Sequence, residues 1–225
     1  MILIKNIYKL VKSELFKESV KCNICGYEGR FGVYGTIPRI SALCPQCHSL
    51  ERHRLLHDYL ARNIVKEPII HFAPEPCISK YCKEKYVNYK TADLYKESDC
   101  TLDLENLQLK NRVIGTIIAN HVIQCVDDTK ALPEIHRVLK VGGILVCSVP
   151  LSQFVFTIGE KMVQEGKESI DRYLSHDNAR IYGLDFSEIV CRYGFKLQNR
   201  YVGDEGLMYK FGIPSNEVIF IFEKC

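Results

Sequence analysis

Downstream of Pro68, short apolar runs alternate with segments that carry apolar residues at helical spacing. The runs predict strands and the segments between them predict helices. The strands are predicted in PIIHFA, VNYKTADL, CTLDL, RVIGTIIAN, VGGILVCSVP, the end of SEIVCRYGFKLQNRYVG, and NEVIFIFEKC. This order predicts an α/β fold with a doubly wound, mostly parallel sheet. The last two strands follow each other without a predicted helix, which gives the sheet an antiparallel edge strand.

The segment before Pro68 has a different pattern. Amphipathic helices are predicted in MILIKNIYKLVKSELF and in SLERHRLLHDYLARNIV, where the polar turn Arg52–Arg54 is either solvated or faces a substrate. Glycines, aromatic residues and β-branched residues between these helices suit a short hairpin. We therefore predict a front domain of residues 1–66 and an α/β core of residues 67–225, with a substrate-side insertion at 151–185.

Two pairs of cysteines bracket the predicted hairpin. Cys22 and Cys25 form one CxxC pair, Cys44 and Cys47 form the other, and 18 residues lie between the pairs. Two thiolates at this spacing fit one tight turn and reach a single tetrahedral ion, so the pattern predicts a small zinc ribbon. A disulfide pair and an idle thiol cluster are the alternatives, and His48 is a substitute ligand. Four protein ligands leave no open position, so the zinc is expected to be structural.

Composition and charge narrow the functional classes. The longest apolar runs, such as Val113–Ala119, are far too short to span a membrane. The N-terminus lacks a signal-peptide pattern, so we expect a cytoplasmic protein. The net charge of +3 does not indicate a nucleic-acid binder. Residues 1–66 are nevertheless basic, with 11 Lys and Arg against 5 Asp and Glu, and either face an anionic substrate or form a solvated surface.

Polar residues follow the predicted strands at their carboxyl ends, where doubly wound sheets bind ligands. They are His71–Pro76, Asp93, Asp103 and Asn120–His121. The first of these segments, HFAPEP, has no glycine, whereas dinucleotide-binding loops use glycines to approach a pyrophosphate. No G-x-G-x-x-G follows any strand, which speaks against NAD. The loop is either a cofactor loop of another kind or a tight structural turn.

The order of these segments resembles that of class I S-adenosylmethionine-dependent methyltransferases of the type 11 kind. ANHVIQCVDDTKALPEIHRVLKVGGILVCSVP is similar to the family's segment from the fourth to the fifth strand. PRISALCPQCHSLERHRLL, HFAPEP, KTADL and ARIYGLD resemble a bacterial subgroup with an N-terminal zinc ribbon, and the likeness covers about residues 20–200. It implies a Rossmann-like methyltransferase core, S-adenosylmethionine as cofactor, and methyl transfer.

The resemblance also implies how the carboxyl edge holds this cofactor. Glu75 would attract its ammonium or sulfonium group, and Asp93 lies where a carboxylate accepts both ribose hydroxyls. Asp103 would accept from the adenine amine, while Asn120 and His121 would lie near the methionine portion. Helix capping, plain turns and satisfied strand ends are the alternatives. The predicted cofactor-binding residues are Ala73, Pro74, Glu75, Asp93, Leu94, Asp103, Leu104, Asn120 and His121.

Three departures from the family pattern bear on catalysis. Gln124 and Cys125 replace the Glu and His usual in its HVLEHV element, and Val141 replaces the proline before the glycine pair. Asn178 stands where the subgroup has a histidine. If that histidine is a general base in relatives, this chain lacks it there, and either His176 compensates or no base is needed.

The insertion is predicted to form the acceptor side. The stretch between the fifth strand and the next helix is longer than a crossover needs, and such length is often functional. Arg180 and Tyr182 are the foremost candidates for a substrate wall, because they can bind hydroxyls or an anion. Local packing or pairing of these two residues is the alternative. The predicted catalytic residues are His121, His176, Arg180 and Tyr182.

The sequence therefore predicts an S-adenosylmethionine-dependent methyltransferase that acts on a small molecule or a saccharide. An RNA methyltransferase with the ribbon as its recognition module is the second hypothesis. The basic residues 1–66 support it, and the modest net charge opposes it. A non-catalytic zinc-ribbon binding protein on a degenerate methyltransferase core is the third hypothesis.

Overall fold

The computed structural model describes residues 19–35, 38–152, 156–157 and 180–225. The predicted N-terminal helix and His176 lie outside these residues. The chain divides into two compact units, one of Met1–Asp58 and Val202–Glu217, the other of Tyr59–Tyr201 and Val218–Cys225. The predicted domains, 1–66 and 67–225, stay a prediction.

The first unit carries two small antiparallel strand pairs. Strand β1 (Val20–Lys21) pairs with β2 (Glu28–Gly29), and β3 (Gly32–Tyr34) pairs with β4 (Arg39–Leu43). The second pair is the hairpin that the glycine-rich and β-branched segment predicts. Helix α1 (Glu51–Arg62) follows, and it begins in this unit.

Helix α1 confirms the predicted amphipathic helix, but one residue of its polar turn lies where the sequence did not predict it. The leucines that form the apolar stripe, Leu55, Leu56 and Leu60, are buried as expected. Arg54 is buried as completely as they are. For Arg54, both the solvated face and the substrate-facing role were therefore wrong.

A seven-stranded sheet forms the core of the second unit. Its order is β10-β11-β9-β8-β5-β6-β7. The five strands from β9 to β7 are mutually parallel, and β11 is antiparallel to β9. The predicted antiparallel strand thus lies beside β10, which is the edge strand. The strands are β5 (Ile69–Phe72), β6 (Tyr89–Asp93), β7 (Cys100–Thr101), β8 (Ile114–Asn120), β9 (Leu139–Ser148), β10 (Phe195–Val202) and β11 (Val218–Lys224).

Burial explains the sequence pattern of the central strands. All seven residues of β8 are buried, as expected for a parallel strand with helices on both faces, and this is why its sequence reads as a continuous apolar run. Phe186, Phe220 and Phe222 pack edge-on or stacked in the same core. The helices that follow α1 are α2 (Pro76–Lys85), α3 (Asp128–Val138), α4 (Phe186–Cys191) and α5 (Glu205–Phe211).

Helix α5 was not predicted, because the segment between the last two strands is short and rich in glycine. Its ends carry recognisable signals nonetheless. The Asp204 side chain caps the first turn by accepting from the amide of Leu207 at 2.7 Å. Gly212 ends the helix in the left-handed conformation, with φ of 61°. None of the helices in the described part of the chain is both long and apolar enough to cross a membrane.

Candidate active site and metal centre

The predicted cofactor residues meet at one edge of the sheet. Strands β5, β6, β8 and β9 are parallel, so their carboxyl ends lie side by side. The loop Ala73–Glu75 follows β5, Asp93 ends β6, and Asn120 ends β8 beside Ser148 of β9. Asp103 and Leu104 follow the short strand β7. The fold thus brings together residues that are far apart in the sequence, at the edge where such sheets bind ligands.

The loop after β5 reaches a glycine-like conformation without a glycine. Ala73 has φ of 45°, in the left-handed region that residues other than glycine seldom adopt. Its amide donates to the Ala92 carbonyl at 2.9 Å, which fixes the loop to β6. Pro76 then occupies the first turn of α2, where proline is well tolerated. The loop is therefore pinned by a backbone hydrogen bond and a proline.

A buried polar network surrounds the carboxylate of Glu75. Asn120 Nδ2 donates to Glu75 Oε1 at 2.6 Å, and His71 Nε2 lies 3.2 Å from Oε2. His71 Nδ1 lies 2.8 Å from the hydroxyl of Tyr89. Ser148 Oγ donates to Asn120 Oδ1. Although Glu75 is the N-cap residue of α2, its side chain does not cap the helix and is turned toward this network.

The donors on the Asn120 side set the hydrogen-bond directions in this network. Ser148 donates to Asn120, and Asn120 donates to Glu75. His71 Nε2 is within ion-pair distance of Glu75 Oε2 but makes no hydrogen bond with it, so the donor between His71 Nδ1 and the hydroxyl of Tyr89 depends on the tautomer of His71. An ionised carboxylate at this position would attract a cation.

One carboxylate oxygen of Asp93 accepts local backbone hydrogen bonds, and the other is available to a ligand. Its Oδ1 accepts from the amides of Tyr95 and Lys96, each at 2.9 Å. This local turn holds the carboxylate in place at the end of β6. Within the described residues, Oδ2 has no hydrogen-bond partner, so it remains an acceptor for an external hydroxyl.

Asp103 and Leu104 lie in a loop that is fixed to helix α3. Asp103 Oδ1 accepts from the Glu105 amide at 2.8 Å, and Leu104 is buried in the core. Glu105 Oε1 in turn accepts from the amide of Asp127, just before α3, also at 2.8 Å. The loop predicted to meet adenine is thus rigidly attached, although its contact with adenine stays a prediction.

His121 lies directly after β8 and also has a positive φ, of 57°. Its amide donates to the Ser148 carbonyl at 2.9 Å, and its own carbonyl accepts from Gln124 Nε2 at 2.8 Å. Gln124, one of the departures from the family pattern, therefore supports the turn at the site. Val141, another departure, lies exposed near the start of β9, at the opposite end of that strand.

Arg180 and Tyr182 converge on a residue that the sequence did not single out, Asp128 in the first turn of α3. The Tyr182 hydroxyl donates to Asp128 Oδ2 at 2.8 Å, and Arg180 Nη1 donates to Oδ1. Asp128 and Tyr182 are almost completely buried. Burial, with the adjoining carboxylate, raises the pKa of Tyr182, so the phenol stays protonated. These contacts are the local pairing that was the alternative to a substrate wall, and a catalytic role of either residue stays a prediction.

The four paired cysteines of the first unit form one cluster. Their sulfurs all lie within 4.8 Å of one another, with Cys22 and Cys47 at 3.6 Å and Cys25 and Cys44 at 3.6 Å. Zinc–sulfur bonds of about 2.3 Å in a tetrahedron separate the sulfurs by about 3.8 Å. A disulfide needs about 2.05 Å, and the cysteines are free. The geometry fits a tetrahedral ion and not a disulfide pair.

The two turns that present the sulfurs repeat each other. The Gly26 amide donates to the Cys22 carbonyl at 2.9 Å, and the His48 amide donates to the Cys44 carbonyl at 3.0 Å. Gly26 and His48 both follow the second cysteine of their pair, and both have positive φ, 78° and 57°. His48 thus has the position that glycine has in the first turn, and it belongs to no four-residue ligand set among the described residues.

Hydrogen bonds at the cluster favour a thiolate at Cys22. Burial raises the pKa of this thiol, but the Ser49 hydroxyl and the amides of Cys25 and Ile24 outweigh burial and lower it to about 7. Burial raises the pKa of Cys44. A metal ion requires thiolates, so the donor set already stabilises one ligand in its binding form.

Comparison with known proteins agrees with this description of the core. The sequence profile of the methyltransferase domain family matches residues 55–147. No curated protein sequence matches the chain with significant similarity. Three solved structures share the fold, each at 12–13% identity with TM-scores of 0.50–0.51, which at this identity shows the fold alone.

The first of these structures contains the Haloferax volcanii Trm112 methyltransferase activator in complex with a methyltransferase; the alignment covers 77% of this chain and 90% of that one. The second is an S-adenosylmethionine-dependent methyltransferase from Mesorhizobium loti, with 76% and 95% covered. The third is the Burkholderia thailandensis 1,6-didemethyltoxoflavin-N1-methyltransferase with bound 1,6-didemethyltoxoflavin and S-adenosylhomocysteine, with 77% and 76% covered.

The mostly parallel sheet and the matched residues 55–147 together define a methyltransferase domain. The family match and the fold support an enzyme of the S-adenosylmethionine-dependent methyltransferase class. Of the residues assigned to the site, the sequence did not indicate Tyr89, Ser148 or Asp128. Ser148 at the end of β9 and the Asp127–Asp128 pair at the start of α3 were the available signals.

Proposed function

We propose that the enzyme transfers a methyl group from S-adenosylmethionine to a small molecule or a saccharide. The observation that carries the proposal is the carboxyl edge itself, where Glu75 and Asp93 offer two carboxylates on neighbouring loops. A phosphate-bearing dinucleotide would be repelled by Glu75, whereas a sulfonium and an ammonium would be attracted. The pinned loop without glycine suits a cofactor that has no phosphate.

S-adenosylmethionine would supply an electrophilic methyl group at this edge. Oδ2 of Asp93 would accept from ribose hydroxyls, and Asp103 would accept from the adenine amine. Ala73, Pro74 and Leu94 would form the backbone and apolar contacts. Asn120 orients Glu75 toward the methionine portion, next to His121. Methyl transfer is an in-line displacement, so the contribution of these residues is mainly positioning.

The acceptor side is proposed to lie at the insertion 151–185. Arg180 and Tyr182, at the end of this range, are held by Asp128 at the start of α3. Tyr182 also joins the segment to the end of β9, because its carbonyl accepts from the Ser152 amide at 2.8 Å. In this arrangement the two residues position the acceptor wall, and His121 and His176 are the groups proposed to take a proton if one must be taken.

We also propose that Cys22, Cys25, Cys44 and Cys47 hold a structural zinc ion. Four thiolates complete a tetrahedral shell and leave no position for substrate. The Burkholderia protein that binds 1,6-didemethyltoxoflavin is an example of a small-molecule ligand on the same fold, and the fold is all that it shares with this chain. Our proposal places the enzyme in the cytoplasm.

An RNA acceptor is the second candidate, and the structure weakens the observation that favoured it. The basic character of residues 1–66 suggested an RNA-binding face. Arg54 is completely buried, and Arg39 pairs with Glu51 at 3.1 Å, so neither offers its charge freely to a phosphate.

The proposed function is tested by transfer of a labelled methyl group from S-adenosylmethionine to fractionated cell extract. We expect label in the metabolite or glycan fraction. Label confined to RNA would show that the acceptor is RNA and not a small molecule or a saccharide. Label in no fraction at saturating cofactor would contradict the proposal. A variant with Asp93→Ala is the negative control, since it should lose cofactor affinity.

Asp93 should contribute strongly to cofactor affinity. We expect Asp93→Ala to weaken S-adenosylmethionine binding roughly tenfold to a hundredfold, because the ribose hydroxyls lose a charged acceptor worth about 1.5–3 kcal/mol. Asp93→Asn keeps an acceptor for the Tyr95 and Lys96 amides and should show a smaller loss. Titration calorimetry measures both. Glu97→Gln, an exposed carboxylate in the same loop, is the matched control, and equal affinity of all variants would remove Asp93 from the site.

Glu75 should recognise the charged end of the cofactor specifically. We expect Glu75→Gln to weaken S-adenosylmethionine binding on the order of tenfold or more, because the ligand's positive charges lose their carboxylate. Binding of 5′-methylthioadenosine, which has neither sulfonium nor ammonium, should stay within about twofold. S-adenosylhomocysteine has the ammonium but no sulfonium, so its affinity for the variant shows which of the two positive charges Glu75 recognises.

The fold should tolerate this change, since the glutamine oxygen still accepts from Asn120 and glutamine has nearly the same size and shape as glutamate. An equal loss of affinity for all three ligands would show that the substitution disturbed the loop and that Glu75 does not recognise the positive charges of the ligand.

A further inference from the structure

Arg54, in helix α1, is a completely buried cation with an unusual set of partners. Its guanidinium donates to four backbone carbonyls: Nε to Phe211 at 2.8 Å, Nη1 to Ala42 and Ser49 at 2.9 Å each, and Nη2 to Gly212 at 3.0 Å. Its Cζ lies 4.5 Å from the ring centroid of Phe31. No carboxylate hydrogen-bonds to it among the described residues. Carbonyl groups satisfy its donors but do not neutralise its charge.

A buried charge needs a compensating charge nearby, because the interior solvates it poorly. Glu51 is the closest carboxylate in effect, but it pairs directly with Arg39. Burial lowers the pKa of Arg54, and Glu51, followed by Cys22, Cys44 and Cys47, opposes this lowering. The carboxylate of Glu217, whose pKa burial raises, also interacts with Arg54, and the cysteine cluster is a further source of negative charge near the guanidinium.

Ser49 connects the guanidinium to the cluster directly. Its carbonyl accepts from Arg54 and also from the amide of Cys44 at 2.9 Å. Its hydroxyl lies 3.4 Å from the sulfur of Cys22 and 3.2 Å from the sulfur of Cys47. Ser49 is completely buried, so this link is not shared with solvent.

We infer that Arg54 is the counter-charge of the four-thiolate metal centre, and that metal binding thereby secures the Phe211–Gly212 end of helix α5. The inference rests on the zinc site proposed above. A zinc ion with four thiolates carries a net charge of about −2, which one guanidinium partly neutralises. Without metal the cluster carries less negative charge, because most free thiols are neutral at pH 7.

A guanidinium suits this position better than an ammonium. Its planar fork can direct donors to carbonyls of two separate chain segments, 42–49 and 211–212, while one face rests on Phe31. A lysine would keep the charge but would not reach all four carbonyls. Substitution of Arg54 by lysine therefore keeps the charge and loses some of the four hydrogen bonds, whereas substitution by methionine removes both.

The first test measures zinc affinity in the full chain by competition with a chromogenic chelator. Arg54→Met removes the charge and should weaken zinc binding at least tenfold. Arg54→Lys keeps the charge and should weaken it less than threefold. Arg30→Gln removes an exposed cation of the same unit that takes no part in the contacts of Arg54, and it should leave zinc affinity unchanged.

The second test uses the wild-type protein alone, so it holds even if Arg54→Met fails to fold. Hydrogen exchange is followed by mass spectrometry before and after zinc is removed by a chelator. Amides of α5 and its cap, such as those of Met208 and Gly212, should exchange at least tenfold faster without zinc. Amides of strands β8 and β9 in the other unit serve as the internal reference and should not change.

The outcomes separate this inference from the zinc site itself. Wild-type protein that binds no zinc would overturn both. Bound zinc with an affinity that is the same within twofold in folded Arg54→Met would overturn the counter-charge and leave the zinc site intact. Unchanged exchange of the α5 amides on zinc removal would overturn the coupling.

Discussion

Cys44→Ser is expected to release the metal ion and unfold the strands Val20–Leu43 while the seven-stranded sheet stays folded. The apolar core of this region is very small. Its buried residues are Phe31 and two of the ligands, Cys22 and Cys44, with partly buried side chains around them. So small a region seldom folds without a metal or disulfides, and structural zinc supplies about 10–16 kcal/mol in comparable modules. Loss of one buried ligand should remove most of that free energy.

Metal analysis and hydrogen exchange of the two units check this expectation. Wild-type protein should carry one zinc ion per chain, and Cys44→Ser should carry far less, with fast exchange confined to the first unit. Cys225→Ser is the matched control, because Cys225 is an exposed cysteine outside the cluster. Full zinc content in Cys44→Ser, or a zinc-free wild type with protected ribbon amides, would contradict the proposed site.

Asp128→Asn is expected to lower stability by about 3 kcal/mol, the lower end of the cost of breaking a buried ion pair. The lower end applies because the Arg180 side chain is 23% exposed, whereas that of Asp128 is 1% exposed. The change leaves Arg180 partly uncompensated and replaces one acceptor of Arg180 and Tyr182 with a donor. A loss of this size should lower the thermal midpoint by about 6–12 °C.

Asp127→Asn is a close control, since it removes the same charge from the neighbouring residue. The Asp127 side chain accepts from the Thr129 amide as a helix cap, and asparagine caps as well as aspartate does. Asp127 also pairs with Arg180 at 3.4 Å, but this pair is partly exposed and such pairs contribute little. Its thermal midpoint should therefore change little. Adding Arg180→Met to Asp128→Asn should recover part of the loss, because no unpaired guanidinium remains. Equal midpoints for Asp127→Asn and Asp128→Asn would show that the buried pair does not hold the segment.

The meeting of the predicted cofactor residues at one edge of the sheet was largely predictable, because the order of strands and helices determines it. Once strands and helices alternate, parallel strands must end at one edge, and the polar residues after β5, β6 and β8 must meet there. The spacing of the four cysteines was equally informative, since two tight turns bring the sulfurs together with little help from the rest of the chain. Local sequence sufficed in both cases.

The partners of these residues were not predictable, because they depend on contacts between distant segments. Asp128 and Tyr182 are 54 residues apart, and Arg54 and Phe211 are 157 apart. Arg54 also lies in a charged turn, where composition favours exposure, and its burial becomes favourable only when four carbonyls surround it. Helix α5 was missed for a related reason: its seven residues are too few to show a helical pattern, and the helix depends on Asp204 and Gly212 at its ends.

The position of α5 in the chain has a consequence for synthesis. The first unit is completed by Val202–Glu217, a segment that follows β10 and precedes the last strand. The cysteine pairs leave the ribosome early, whereas Phe211 and Gly212 follow on the order of ten seconds later at usual rates of elongation. During that interval the segment with the four cysteines has only half of the carbonyls that hold Arg54 in the folded protein. A growing chain would therefore lack two of the four hydrogen-bond partners of this cation until Phe211 and Gly212 have been synthesised.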